Sequence, residues 1–127
     1  MAYTLMVVDD SNIIRNRITR SFADSDIQIV ASAKDGEEAV AKFDQFRPDL
    51  VTMDLTMPHM NGLECIKQLV AKGTGVSILV VSALSDKATA LLALQYGARG
   101  FICKPFNEND IKTALERMIA MQEKAKK

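Results

Sequence analysis

The fold of this chain is constrained most by five short apolar runs. Each run is followed by a polar turn and then by a segment with helical spacing. The runs are Leu5–Val8, Ile27–Ala31, Asp49–Met53, Val76–Val81 and Gly100–Cys103. Buried parallel strands have such short, nearly continuous apolar sequences, and strands that alternate with helices form right-handed crossovers. The sequence therefore predicts an α/β fold, a doubly wound five-stranded parallel sheet with helices on both faces.

The segments between these runs carry the signals that start and stop helices. Ser11, Asp35 and Asn107 stand where N-caps are expected, and Pro48 and Gly97 stand where helices must end. Apolar residues one helical turn apart predict the buried stripes. These are Ile14, Ile18 and Phe22; Ala39, Val40 and Phe43; Leu63, Ile66, Leu69 and Val70; and Ile111, Leu115, Met118 and Met121 or Gln122.

Length, charge and apolar content exclude several classes of protein. The 127 residues suit one domain, so residues 1–127 are predicted to form a single domain without an output domain. No apolar run approaches the roughly 18 residues of a membrane span, and the N-terminus does not resemble a signal peptide, which predicts a cytoplasmic protein without membrane insertion. With 16 basic and 16 acidic residues, the chain has no net positive charge for binding nucleic acid.

Cysteine and histidine do not form a catalytic or metal-binding pattern here. Cys65 and Cys103 lie far apart, without CxxC or Cys/His spacing, and are predicted to be reduced, packed thiols. His59 is the one histidine, and we expect it to be an exposed loop residue.

Polar groups that follow the apolar runs suggest where the function lies. In a parallel sheet the carboxyl ends of all strands meet at one edge, which is where ligands bind. The groups expected there are Asp9, Asp10, Asp54, Ser82 and Lys104. Crowded carboxylates repel one another, and a hard divalent cation such as Mg²⁺ would neutralise them through oxygen ligands.

This set of groups has the chemistry of phosphoryl transfer. Asp54 can act as an aspartyl nucleophile, Lys104 as a point charge for a phosphoryl oxygen, and Ser82 as a hydroxyl that responds to phosphate. Taken alone, an acidic pair is usually a solvated turn, a strand-end serine a cap, and a Lys-Pro dipeptide a turn. Their order on the first, third, fourth and fifth strands is what favours a site.

These motifs resemble the receiver domain of bacterial response regulators, which has a flavodoxin-like fold. The matching motifs are Asp9-Asp10, Asp54 to Pro58 with Asn61-Gly62, Ser82-Ala83 and Lys104-Pro105-Phe106. The resemblance implies that Asp54 accepts phosphate from a phosphohistidine of a sensor histidine kinase. It also implies that Asp9, Asp10, Asp54 and the Thr56 main-chain carbonyl bind Mg²⁺, that Ser82 is the switch hydroxyl, and that Lys104 pairs with phosphate.

Among receivers, the chain is most similar to stand-alone chemotaxis regulators of the CheY type, which implies a phosphorylation-dependent target protein such as the flagellar motor switch. A single-domain receiver of a phosphorelay or of another pathway would carry the same motifs. Phe101 falls at the position of the family's switch aromatic but lacks a hydroxyl, and a packed strand residue is the alternative explanation. The predicted partner face comprises the Asp86–Tyr96 helix, the Phe101 strand and the last helix.

The chain is expected to be a signalling switch that catalyses its own phosphorylation and dephosphorylation rather than a conventional enzyme. Thr56 and Leu84 occupy the family's two variable positions beside the pocket. Neither can position water, so we expect a phosphorylated state that lasts longer than seconds. The alternatives are a Mg²⁺-dependent phosphohydrolase with Asp54 as nucleophile, although Thr56 stands where a second acid is expected, and a receiver-shaped module that is never phosphorylated.

Overall fold

The computed structural model describes residues 3–55, 57 and 60–125. Its strands are β1 (Tyr3–Val8), β2 (Ile27–Ala33), β3 (Leu50–Asp54), β4 (Ser77–Ala83) and β5 (Gly100–Lys104). Its α-helices are α1 (Asn12–Ser21), α2 (Gly36–Phe46), α3 (Gly62–Ala71), α4 (Lys87–Gln95) and α5 (Glu108–Ala125), and a 3₁₀ turn over Leu84–Asp86 precedes α4. The helix predicted over Asp86–Tyr96 is observed as α4, which is one residue shorter at each end.

All strand pairs are parallel, and the strands lie in the order β2-β1-β3-β4-β5. One apolar layer packs α2, α3 and α4 against the sheet, with Phe43, Ile66 and Ala90 among its buried members. The other layer packs α1 and α5 against the opposite face, through residues that include Ile18 and Leu115. The predicted doubly wound parallel sheet, with helices on both faces, is confirmed.

Side-chain caps begin the helices at the residues that the sequence indicates. The Ser11 and Asp35 side chains accept hydrogen bonds from the backbone N–H groups of Ile14 and Glu38, at 3.3 Å and 2.8 Å. Asn107 Oδ1 accepts one from the Asp110 N–H at 2.8 Å. These bonds satisfy N–H groups that have no partner within the helix, so each helix starts close to the end of the preceding strand.

One predicted stripe residue, Val70, is exposed rather than buried, with 38% of its surface accessible. Of the two alternatives predicted near the end of α5, Met121 is 62% exposed. Near the end of α5 the side chain that reaches the sheet is Gln122, whose Oε1 accepts a hydrogen bond from Ser77 Oγ at 2.9 Å. Within the described residues, no helix is both long and apolar enough to cross a membrane.

The two cysteines have different surroundings. Cys65 is fully buried on α3 with its Sγ 3.7 Å from the Gly36 carbonyl oxygen, whereas Cys103 on β5 is partly exposed. Burial raises the pKa of the Cys65 thiol to about 12, and the nearby carboxylates of Asp35 and Glu64 add to this. We expect iodoacetamide at about pH 8 to modify Cys103 alone in the native protein and both thiols in urea, measured by intact mass. Native modification of Cys65 at the rate of Cys103 would contradict this packing.

Candidate functional site

Four strands bring their carboxyl ends to one edge of the sheet, and this edge collects the predicted groups. Asp9 directly follows β1, Asp54 is the last residue of β3, and Lys104 is the last residue of β5. Ser82 lies inside β4, which continues to Ala83, rather than ending the strand as the sequence suggested. Register still places Ser82 at this edge, because β4 and β3 pair Val81 with Asp54.

The three predicted acids form one cluster. Asp9, Asp10 and Asp54 each offer a carboxylate oxygen, and these oxygens all lie within 4.8 Å of one another. Asp9 is 1% exposed and Asp54 5% exposed, whereas Asp10 is exposed. One Asp9 oxygen, Oδ1, accepts a hydrogen bond from the Ser11 N–H at 2.9 Å, and the other, Oδ2, faces the ammonium group of Lys104 at 3.2 Å. The cluster therefore has the charge and oxygen donors that suit a hard divalent cation.

Lys104 supplies positive charge to the two buried acids. Its Nζ lies 3.2 Å from Asp9 Oδ2 and 3.6 Å from Asp54 Oδ1. Burial by itself would lower the pKa of Lys104, but Asp9 and Asp54 together outweigh burial and raise this pKa above its ordinary value. Lys104 is thus an ammonium at physiological pH, held where it would contact a group bonded to Asp54.

The Ser82 hydroxyl has no partner among the described residues. Ser82 is 1% exposed, and its Oγ makes no hydrogen bond there. A buried hydroxyl without a partner costs about 1–3 kcal/mol of desolvation, which an arriving acceptor would relieve. The phosphoryl oxygen predicted to bind at this edge is such an acceptor.

The remaining predicted residues are placed as follows. Phe101 is half-buried and packs against the apolar layer beneath α2, α3 and α4, which agrees with a packed strand residue and leaves its role as a switch untested. The Thr56 main-chain carbonyl, predicted as a Mg²⁺ ligand, and His59 lie outside the described residues, as does the Leu84 side chain.

The loop after Asp54 returns to β3 through Gly62. The Gly62 N–H donates to the Leu55 carbonyl at 3.0 Å. A Cβ on residue 62 would lie 2.6 Å from Leu55 Cα and would also contact the Asp54 carbonyl oxygen, so only glycine fits there. Asn61 caps α3 at the same point by accepting from the Glu64 N–H at 3.0 Å.

Replacing Gly62 with alanine should lower the free energy of unfolding by about 2 kcal/mol, because backbone rather than a flexible side chain must move. The control is Gly100→Ala, whose Cβ would meet Leu79 Cδ1 at an ordinary 3.5 Å and should leave stability nearly unchanged. Urea denaturation of both variants measures the difference. Equal midpoints would show that the loop accommodates a side chain at residue 62.

Arg15 contacts the site, although the apolar spacing of the sequence did not place it there. The apolar spacing of α1 puts Arg15 outside the buried stripe, yet its guanidinium donates to the Asp9 carbonyl oxygen at 2.6 Å. The signal in the sequence was an arginine less than two helical turns after an acidic pair, since a side chain of that length can reach back to the turn.

Comparisons with known proteins agree with this fold. Residues 5–116 match the family described as response regulator receiver domain. The chain belongs to this family: it is the receiver domain of a two-component response regulator, and receivers generally take phosphate from histidine kinases and bind Mg²⁺ at clustered aspartates.

The similar relatives include stand-alone chemotaxis proteins. The chemotaxis protein CheY of Listeria monocytogenes is 41% identical over 113 residues, covering 89% of this chain and 95% of that protein. CheY of Bacillus subtilis is 34% identical, and the alignment covers 94% of this chain and 99% of that protein. CheY4 of Vibrio cholerae has a TM-score of 0.85 at 28% identity, with 93% and 99% covered. A chain of the CheX-CheY-BeF3-Mg+2 complex of Borrelia burgdorferi has a TM-score of 0.84 at 30% identity, and the match covers 94% of this chain and 86% of that chain.

Proposed function

We propose that a sensor histidine kinase phosphorylates this chain on Asp54 and that the phosphorylated form binds a target protein in chemotaxis. The observation that carries the proposal is the carboxylate cluster with Lys104 Nζ within 3.6 Å of two of its members and the unpartnered Ser82 hydroxyl at the same edge. Asp9, Asp10 and Asp54 would hold Mg²⁺. When bound, this ion would neutralise the acids and the charge of the phosphoryl group.

The residues of the chain have separate tasks in the transfer. An Asp54 carboxylate oxygen attacks phosphorus, and the new oxygen–phosphorus bond forms as the bond from phosphorus to the donor's imidazole nitrogen breaks. Lys104 remains protonated and pairs with a phosphoryl oxygen, because the neighbouring acids raise its pKa. The two buried acids are thereby kept close to a fixed positive charge throughout the reaction.

The phosphorylated state would be signalled through Ser82. The phosphoryl group adds close to two negative charges and three acceptor oxygens, and the buried Ser82 hydroxyl gains the partner that it lacks. Movement of β4 and the turn that follows it would then change the surface formed by α4, β5 and α5. Exposed apolar side chains on two of these elements are Leu91 and Leu92 of α4 and Met121 of α5.

We further propose a chemotaxis role in the cytoplasm, with the flagellar motor switch as the candidate target. The support is the similarity to CheY proteins over at least 89% of the chain at 34–41% identity. The test is a pull-down from a lysate with phosphorylated protein, with unphosphorylated protein as the control. Capture of a motor-switch protein by the phosphorylated form alone supports this role, and capture of a phosphotransfer protein instead favours a phosphorelay.

The phosphoryl-transfer proposal is tested by incubating the protein with acetyl phosphate and Mg²⁺ and measuring its intact mass. We expect one phosphoryl adduct with Mg²⁺ and none when EDTA removes the metal. Absence of an adduct in both samples would contradict the proposal. Continuous hydrolysis of varied phosphate esters would instead favour the phosphohydrolase alternative.

A further inference from the structure

The turn that carries Asp9 and Asp10 is held by a side chain from the following helix. Arg15 Nη1 donates to the Asp9 main-chain carbonyl oxygen at 2.6 Å, and Arg15 Nη2 donates to Asn12 Oδ1 at 3.2 Å. The guanidinium, itself half-buried, thus joins the acidic turn to the first residue of α1.

The bonded carbonyl belongs to the peptide group that links Asp9 to Asp10. Its orientation therefore sets where the two side chains point relative to each other. The Asp9 N–H donates to the Ala33 carbonyl at 3.0 Å, and the Ser11 N–H donates to Asp9 Oδ1 at 2.9 Å. Neither of these bonds involves the Asp9 carbonyl oxygen, which is held by Arg15. Asp10 is exposed, so its direction depends on the backbone more than on packing.

We propose that Arg15 is a positioning residue for the divalent cation: it fixes the Asp9–Asp10 peptide so that both carboxylates face Asp54. The inference rests on the proposed function, because it concerns the same acid cluster. It adds a residue that touches none of the three carboxylates through a described hydrogen bond or ion pair. Groups that orient metal ligands typically change metal affinity 10-fold or more when they are removed.

Charge and geometry predict opposite effects, which makes the proposal testable. A positive charge near a cation site opposes metal binding, so removing charge alone should tighten it. Removing the two hydrogen bonds of the guanidinium should weaken metal binding. Arg15→Lys keeps the charge but has no planar fork to reach both acceptors, and Arg15→Met loses both. If geometry dominates, both variants bind the metal more weakly.

The experiment is an NMR titration of ¹⁵N-labelled protein with MgCl₂, which gives the dissociation constant and also shows whether each variant is folded. The control is Arg17→Met, which makes the same charge change at an exposed position of α1. We expect both Arg15 variants to bind Mg²⁺ roughly 10-fold more weakly than Arg17→Met. In phosphorylation assays with acetyl phosphate, the Mg²⁺ concentration that gives the half-maximal rate should rise by the same factor as the dissociation constant. The phosphorylation rate at saturating Mg²⁺ should be nearly unchanged.

The outcomes separate this inference from the proposed function. If wild type binds Mg²⁺ and both Arg15 variants match Arg17→Met, the positioning role is wrong and the proposed function stands. If Arg15→Met binds Mg²⁺ more tightly than wild type and Arg15→Lys binds it equally, the effect is one of charge. That result would also overturn the positioning role. If wild type itself does not bind Mg²⁺, the proposed function fails together with the inference.

Discussion

Asp54→Asn should abolish the phosphoryl adduct that wild type forms with acetyl phosphate and Mg²⁺. The amide that replaces the carboxylate is a very poor nucleophile for phosphorus, and no other described carboxylate at the edge is the last residue of a strand. Because Asp54 is 5% exposed, the nearly isosteric asparagine preserves the packing while removing the reactive oxygen. Intact mass spectrometry after incubation gives the result directly.

The control for this variant is Asp24→Asn, which makes the same chemical change at an exposed turn. It should be phosphorylated to the wild-type extent. An adduct on Asp54→Asn equal to that on Asp24→Asn would place the phosphoacceptor elsewhere, and Asp9 and Asp10 would then be the carboxylates to test.

Lys104→Met should lower the free energy of unfolding by roughly 2 kcal/mol near neutral pH. Removing one partner of a fully buried ion pair costs about 3–5 kcal/mol, and the loss is smaller here because the Lys104 side chain is 27% exposed. Asp9 and Asp54 would remain buried without their cation. Adding Mg²⁺ should recover part of the loss, and urea denaturation with and without Mg²⁺ measures both effects.

The matched control is Lys112→Met, which breaks an exposed ion pair to Glu108 of 3.0 Å within α5. Such helical pairs contribute about 0.3–0.5 kcal/mol, so its midpoint should hardly change. If the two methionine variants were equally stable, Lys104 would not stabilise the acid cluster.

The pH dependence of Lys104 has a defined direction. Its pKa is raised in the folded protein, so its contribution is complete below the ordinary lysine pKa and disappears as pH rises through the higher folded-state value. Wild type should therefore lose stability relative to Lys104→Met above about pH 10.4. Denaturation midpoints that stay parallel from pH 8 to pH 11 would contradict the ion pairs.

Strand-end residues could be placed from the sequence because the alternation of strands and helices leaves few topologies. Once the sheet is parallel, Asp9, Asp54 and Lys104 must share an edge whatever the helices do in detail. The helix caps at Ser11 and Asp35 followed from local chemistry in the same way. That residues 1–127 act without an output domain stays a prediction, as do the roles of the individual site residues.

Other features depend on three-dimensional distances that a sequence pattern does not contain. Helical spacing does not give the width of a buried stripe, so it did not predict the exposure of Val70 and left Met121 and Gln122 as alternatives. The contact between Arg15 and Asp9 depends on the path of a long side chain across a turn, and helical periodicity describes only where that side chain starts. The unpartnered Ser82 hydroxyl could be identified only once its neighbours were known.

The most direct test of the central claim is to locate the phosphoryl group. Protein treated with acetyl phosphate and Mg²⁺ is reduced with borohydride, which converts an acyl phosphate to an alcohol, and is then digested and sequenced by mass spectrometry. We predict homoserine at position 54 and aspartate at positions 9 and 10. Homoserine at either of those two positions with aspartate retained at 54, or no reduced residue at all, would contradict the assignment of Asp54 as the phosphoacceptor.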